Sequence, residues 1–247
     1  MICILNETQR SDAFAFLKKN LAGDPTTGSF SEKLIAGFMQ RQDSYTWLSS
    51  QNEEGINGIL LLDESYRIVF LYVGKEDRNK GYGSALLNAC VNIADKSSVA
   101  KLKIHTITEI TQFLENYGFE SVTKRDEMEY LCGKSLLGKT VTVIVERPYG
   151  SLDLRNEGEL SVNCGYIQEE ITMNDTDMKN ACIVGVYQPV ETFTGVVIGL
   201  VYHEEDSNIH AIVARNGELI DHDKVIQEIG MVEQYYHSRI VFADTRS

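Results

Sequence analysis

The chain predicts an α/β domain followed by a small β-barrel with one helix packed on it. Two observations carry this reading. Residues 1–137 alternate helix and strand signals, whereas residues 138–247 show several short strand signals and then one helix. Charge also changes character across Gly133–Gly138, a segment with a glycine at each end. Before residue 138 there are 15 Lys/Arg against 18 Asp/Glu; from there on, 8 against 18. The expected domains are therefore 1–137 and 138–247, a division that suits a chain of 247 residues.

In the first part, residues 11–19 and 32–41 have helical composition. Ile59–Leu62 and Ile68–Val73 are apolar runs separated by the turn residues Asp63, Glu64 and Ser65, and read as strands. Ser84–Asp95 places Leu86, Ala89, Cys90 and Ile93 on one helical face. Val99–Ile104 alternates, with Lys101 and Lys103 on a wet face. Glu109–Tyr117 is a short helix stopped by Gly118. In the second part, Thr140–Glu146, Ile183–Val186, Val196–Tyr202 and Ala211–Ala214 are the expected strands. The helix starts from Asp221 as N-cap, with Val225, Ile226, Ile229 and Val232 on a stripe.

Composition excludes several function classes. The formal charge of −13 argues against nucleic-acid partners, whose phosphates need Lys/Arg, and against anionic membranes. There is no run of about 20 apolar residues, and the N-terminus lacks the pattern of a signal peptide. A cytoplasmic location is expected. Cys3, Cys90, Cys132, Cys164 and Cys182 are widely spaced with no CxxC pair, so they read as buried thiols in a reducing compartment.

The most informative stretch runs from Val73 to Ser84. A strand ends, a loop with Gly81 and Gly83 follows, and an amphipathic helix begins. Unpaired N–H groups and the dipole at a helix start favour an anion. The glycines let the backbone approach a bulky phosphate, and Arg78 and Lys80 add positive charge. The residues point to a pyrophosphate site. Arg78-x-x-Gly81-x-Gly83 is neither the dinucleotide fingerprint nor the Walker loop.

This stretch resembles the GCN5-related N-acetyltransferase (GNAT) family, whose Arg/Gln-x-x-Gly-x-Gly/Ala loop cradles the pyrophosphate of acetyl-CoA. The matching positions are Arg78, Gly81 and Gly83, with backbone amides of Asn79, Lys80, Tyr82 and Ser84 beside them. Leu71-Tyr72-Val73 matches the strand that pairs with the pantetheine arm, and Phe113–Phe119 matches a second signature near the CoA tail. The resemblance covers roughly residues 1–131 and implies a mixed sheet with flanking helices and a cleft between two splayed central strands. It also implies attack by a free amine on the thioester, a base for the ammonium proton and backbone donors for the carbonyl.

Where many family members carry a Tyr acid, this chain has Leu114, and Ile107 replaces a common Asn. No local spacing identifies a general base. The candidates for acid–base work are Glu64, Tyr72, His105 and Tyr117, with Tyr66 nearby; each has a structural reading beside the catalytic one.

In the second part, Asp175 and Asp177 are two carboxylates spaced to ligate a hard cation such as Mg²⁺. The order of motifs resembles the family I inorganic pyrophosphatases, over roughly residues 139–240. That implies an OB-like five-stranded barrel with a C-terminal helix. By position, Glu146 matches an active-site Glu, Arg155 a phosphate-binding Lys, Glu157 a nearby acid, and Asp175 and Asp177 two of three metal carboxylates. The third is Asn180, the Tyr of Asn-Tyr-Gly-Tyr is Cys164, and an Asp-x-Lys pair appears as Asn208-x-His210. The terminal Tyr-Lys pair falls at Arg239-Ile240. Each lost carboxylate removes charge that Mg²⁺ needs.

The first expectation is therefore an acetyl-CoA-dependent N-acetyltransferase acting on a small-molecule or peptide amine, with an inactive pyrophosphatase-like domain serving assembly or ligand sensing. The others are a bifunctional protein retaining Mg²⁺-dependent diphosphatase activity, with Glu204, Glu205 and Asp206 restoring charge, and a non-catalytic CoA-binding regulator. The barrel resemblance implies a homo-oligomer.

Overall fold

The computed structural model describes residues 1–21, 31–97, 99–106, 108–122, 126–153, 158–168, 179–203, 209–217, 221–233 and 238–243. The chain divides into two compact units, 1–94 with 101–130, and 95–100 with 131–247. Gly133–Gly138 lies within the second unit. Among the described residues no helix is long and apolar enough to cross a membrane.

The elements of the first unit are β1 (Ile2–Ile4), α1 (Arg10–Leu21), α2 (Ser31–Gln40), β2 (Tyr45–Asn52), β3 (Gly55–Asp63), β4 (Arg67–Val73), α3 (Tyr82–Lys96), β5 (Lys101–His105), α4 (Thr108–Tyr117), β6 (Glu120–Ser121) and β7 (Glu127–Leu131). The sheet order is β1-β2-β3-β4-β5-β7-β6. It is mixed: β1 to β4 run antiparallel, and β4 lies parallel to β5. β3 is an inner strand, and Ile59, Leu60, Leu61 and Leu62 are all buried, which explains their unbroken apolar run.

α1 buries Ala13, Phe14, Leu17 and Leu21, a stripe at helical spacing. It packs with Trp47, Ile59, Leu61, Phe38 and Tyr72, and the Phe14 and Trp47 rings meet edge-on at 5.0 Å. α3 buries Leu86, Leu87, Cys90 and Ala94; the face expected from the sequence turns slightly, because Leu87 is inside and Ala89 and Ile93 are only half-buried. Lys101 and Lys103 do not simply face water: both pair with Glu129, at 3.7 and 3.1 Å. α4 ends as expected, with Gly118 at φ 110° and its N–H on the Leu114 carbonyl at 3.1 Å.

The second unit contains β8 (Thr140–Arg147), β9 (Leu152–Asp153), β10 (Gly158–Glu159), β11 (Asn163–Ile167), β12 (Asn180–Ile183), β13 (Thr192–His203), β14 (Ile209–Ala214), α5 (His222–Glu233) and β15 (Ser238–Phe242). β8, β11, β12, β14 and β13 form a ring that closes through β13–β8 and β13–β14, a five-stranded barrel with β15 added on β13. Closure leaves no free edge in the ring. β12 and β14 are the parallel pair.

The strand expected at Ile183–Val186 lies three residues earlier, because β12 takes its register from β14, Asn180 opposite His210. α5 starts where Asp221 Oδ1 accepts the N–H groups of Asp223 and Lys224 at 3.1 and 3.3 Å. Val225 and Ile229 enter the core. Ile226 does not; it is 45% exposed, on the outer side of the helix.

Candidate functional site

β4 and β5 part in the first unit beside one extra residue of β4. Among the described residues β4 and β5 pair at Arg67–Lys103 and Ile68–Ile104. β5 ends at His105, while β4 runs on to Val73. On its other edge β4 pairs Phe70 with Leu61 but Ile68 with Leu62, so Val69 is an additional residue, a β-bulge. A bulge bends its strand and raises the twist, and here it sits where the two parallel strands part. Val69 and Phe70, though neighbours, both pack on the cluster formed with α1 and α2.

Beyond the bulge, the Gly74 N–H donates to the Asn57 carbonyl at 2.8 Å, and Gly58 stands opposite Val73. Antiparallel alternation then turns the peptide groups of Tyr72 toward β3 and those of Leu71 and Val73 toward the opening. These are the two strand positions that the resemblance assigns to the pantetheine arm.

The loop after β4 makes one tight turn, Lys75–Asp77, with the Asp77 N–H on the Gly74 carbonyl. Asn79 and Gly81 are both left-handed, at φ 62° and 86°. The Gly81 carbonyl accepts the Ala85 N–H at 3.0 Å, so the N–H groups of Tyr82, Gly83 and Ser84 precede the first intrahelical donor. A Cβ on Gly81 would meet nothing within 4 Å: the space beside it is open.

Gly83 has a packing reason to be small. A Cβ there would stand 3.1 Å from Phe113 Cζ. Its smallness lets α3 meet α4. The Arg78 Nε donates to the Val73 carbonyl at 3.2 Å, and its guanidinium lies 5.5 Å from the Tyr72 ring centre. Lys80 is paired with Asp77 at 3.2 Å, which offsets part of the positive charge expected of the loop.

The acid–base candidates separate in space. Tyr72 is on the β4 arm of the opening, 8% exposed, with its hydroxyl 3.5 Å from the Asn20 carbonyl. His105 ends β5 one residue past the last β4–β5 pair and is exposed. Glu64 is exposed in the β3–β4 turn, at the opposite end of β4 from the loop. That turn is held by Asp63 Oδ1, which accepts the Ser65 and Arg67 N–H groups, and Tyr66 adopts φ 56° within it. Tyr117 donates to Asn88 Oδ1 at 2.6 Å and packs with Phe119 and Tyr130. Leu114 is fully buried, and Ile107 lies outside the described residues.

Sequence reading missed two parts of this site. The first is the Val69 bulge, for which the run Ile68–Val73 gives no signal. The second is an aromatic layer, Phe38–Phe70 at 5.2 Å and Phe16–Tyr72 at 6.2 Å, with Phe70 and Tyr72 stacked. The spacing of Phe70 and Tyr72 was the only hint of it.

In the second unit, Glu146 is exposed near the end of β8. Arg155, Glu157, Asp175, Asp177, Glu204, Glu205, Asp206 and Asn208 lie outside the described residues. Asn180 Nδ2 and His210 Nε2 are hydrogen-bonded at 3.2 Å, and the His210 and His203 rings are 4.4 Å apart. Among the described residues no group of three or more His, Cys, Asp or Glu is arranged to hold a metal ion.

Asn163 is fully buried and fully used. Its Oδ1 accepts from Tyr149 and Val190 N–H groups, and its Nδ2 donates to the Val186 and Gln188 carbonyls. It joins the turn after β8 to the segment before β13.

Residues 25–133 match the family model described as Acetyltransferase (GNAT) domain. Among solved structures, the chain is similar to a GCN5-related N-acetyltransferase from Rhodopseudomonas palustris, with 14% identity over 53% of this chain and 94% of that one and a TM-score of 0.44. It is similar to Ard1 from Thermoplasma volcanium, with 15% identity over 53% and 97% and a TM-score of 0.42. It is also similar to a phosphinothricin acetyltransferase from Sinorhizobium meliloti in complex with AcCoA, with 14% identity over 54% and 89% and a TM-score of 0.40. A comparison with curated proteins returned no match.

Proposed function

We propose that the first unit seats acetyl-CoA and passes its acetyl group to the amine of a small molecule or peptide. The observation that carries this reading is the junction of β4, loop and α3: helix-start N–H groups, a left-handed Gly81 beside open space, and Arg78 at the rim. These residues fit the group. Leu71 and Val73 turn peptide groups toward the opening, and the amides from Asn79 to Ser84, with Arg78 and Lys80, offer donors and charge to a diphosphate. Bound acetyl-CoA supplies an activated thioester carbonyl. The extra residue Val69 leaves the β3–β4 ladder at the point where the strands part, so its peptide group is available to a ligand. His105, exposed one residue past the last β4–β5 pair, is read as the base for the ammonium proton. Tyr72 is the proton donor within the opening.

Calorimetric titration with acetyl-CoA tests the seat, and thiol release over a panel of amines tests the transfer. Absence of heat at millimolar acetyl-CoA overturns the reading. Binding without thiol release from any amine reduces it to a CoA-binding regulator.

The second unit is read as an OB-like barrel related to the family I pyrophosphatases, in a role of assembly or ligand sensing. The support is its strand order: the first barrel strand pairs with the second and fourth, and the third runs parallel to the fifth. An amide and an imidazole, Asn180 and His210, meet where the resemblance places a carboxylate and a cation. Phosphate release from pyrophosphate with Mg²⁺ or Mn²⁺ is expected to equal that of the Asp175→Ala variant. A clear excess restores the bifunctional reading.

A further inference from the structure

We propose that Cys164 and Cys182 form a reversible dithiol–disulfide site in the second unit. The two residues face each other on the antiparallel strands β11 and β12. The Ile167 N–H donates to the Lys179 carbonyl at 2.8 Å. Hydrogen-bonded pairs recur every second residue along this ladder, so Cys164–Cys182 is a non-hydrogen-bonded pair, the class in which facing side chains come closest and Cα atoms stand about 4.5 Å apart. That spacing is within the span of a disulfide. The two sulfurs are 3.0 Å apart, already in contact and aimed at each other.

Their surroundings select the oxidant. Cys164 is 3% and Cys182 6% exposed, within a cluster that includes Val184, Ile212, Val225 and Ile229. A bulky or charged oxidant has no access there, so the co-reactant is a small peroxide. One cysteine, as thiolate, attacks a peroxide oxygen: an S–O bond forms, the O–O bond breaks, and the leaving hydroxide takes up that cysteine's proton as water. The second sulfur then displaces the oxygen from the sulfenic acid. The S–S bond forms, the S–O bond breaks, and a second water leaves with the other thiol proton. The two thiols lose two electrons and the peroxide gains them. Two equivalents of a small thiol reverse the step, leaving as a small disulfide.

Proximity makes the site selective. Cys164 and Cys182 already face each other across one ladder pair with their sulfurs in contact. The cross-link joins residues 18 positions apart and closes a loop in the unfolded chain, which stabilises the folded one.

The test uses the full chain, reduced and then exposed to hydrogen peroxide. The expected result is a loss of about 2 Da in intact mass, set by the two hydrogens that leave in the step above. Denatured thiols should fall from the five in the sequence by one pair, and a non-reduced digest should yield a peptide joining Cys164 to Cys182. The melting temperature should rise by roughly 5 °C, and dithiothreitol should reverse all of it. Cys164→Ser should lose the mass change and the thermal shift. A cross-link through Cys3, Cys90 or Cys132, five titratable thiols after treatment, or the same mass loss in Cys164→Ser each overturns the proposal. If Cys164→Ser does not fold, the wild-type digest alone decides.

Discussion

Gly83 of α3 lies against the ring of Phe113 of α4, so close that an added Cβ would stand 3.1 Å from Cζ. The ring must yield before any larger residue fits. Gly83→Ala is expected to destabilise the protein by about 1 to 2 kcal/mol. In the Phe113→Leu background the cost should fall, giving a coupling of about 0.5 kcal/mol or more. Urea unfolding of the four variants measures it; additive costs would separate the two residues.

Gly81 and Arg78 should act on the ligand. Gly81→Ala forces a side chain into φ 86° and should cost about 1 kcal/mol in stability. It should also weaken acetyl-CoA binding, because the N–H groups beside it move. Arg78 is exposed, so Arg78→Ala should leave stability within about 0.5 kcal/mol while lowering acetyl-CoA affinity about tenfold, less so in high salt. Titration calorimetry at two ionic strengths reads both.

His105 and Tyr117 should part company in kinetics. His105→Ala is expected to lower kcat about 100-fold, with a partial return at high pH, where more amine is already deprotonated. Tyr117→Phe should leave kcat within about twofold, since its hydroxyl is engaged with Asn88. Stopped assays of thiol release from pH 6 to 9.5 decide, and a collapse of kcat in Tyr117→Phe would reverse the assignment.

Asn163→Ala removes four hydrogen bonds at a fully buried position and strands the Tyr149 and Val190 N–H groups. A loss of about 3 kcal/mol is expected. Asn163→Asp should fare no better, since it keeps the acceptor but loses both donations and buries a charge. Thermal and chemical denaturation measure the effect.

Burial holds the Cys90 thiol protonated, from 9.0 up to about 12. The unfolded chain ionises first as pH rises. The stabilisation is therefore complete below about pH 9 and is lost between about 9 and 12, at about 1.4 kcal/mol per pH unit. Unfolding free energies at pH 8 and 11 should differ by about 2 to 3 kcal/mol more in the native protein than in Cys90→Ala.

What the sequence reveals depends on how local the cause is. The strand–loop–helix from Ile68 to Asp95 is legible because glycines, a turn and helical spacing all act within a few residues. β2 is not: Tyr45–Asn52 carries Ser49 and Ser50, both fully buried, and only its ladder with β3 makes it a strand. β12 lies three residues from its expected place because its neighbour β14 sets the register. The aromatic layer and the Asn163 hub unite residues far apart in the chain. The Phe113 motif is legible as a pattern, but its contact with Gly83 is not, because nothing local shows which side of a glycine is crowded.

Val69 works as slack in the strand. Strand residues take sides in turn, and a ladder that took Val69 into its register would reverse the order for all that come after it. The bulge prevents this: Leu62 faces Ile68 and Leu61 faces Phe70, so the rings of Phe70 and Tyr72 keep the layer they share with α1 and α2. Deleting Val69 would leave both rings in that layer but take the bend out of β4, letting the parallel neighbours run side by side for longer.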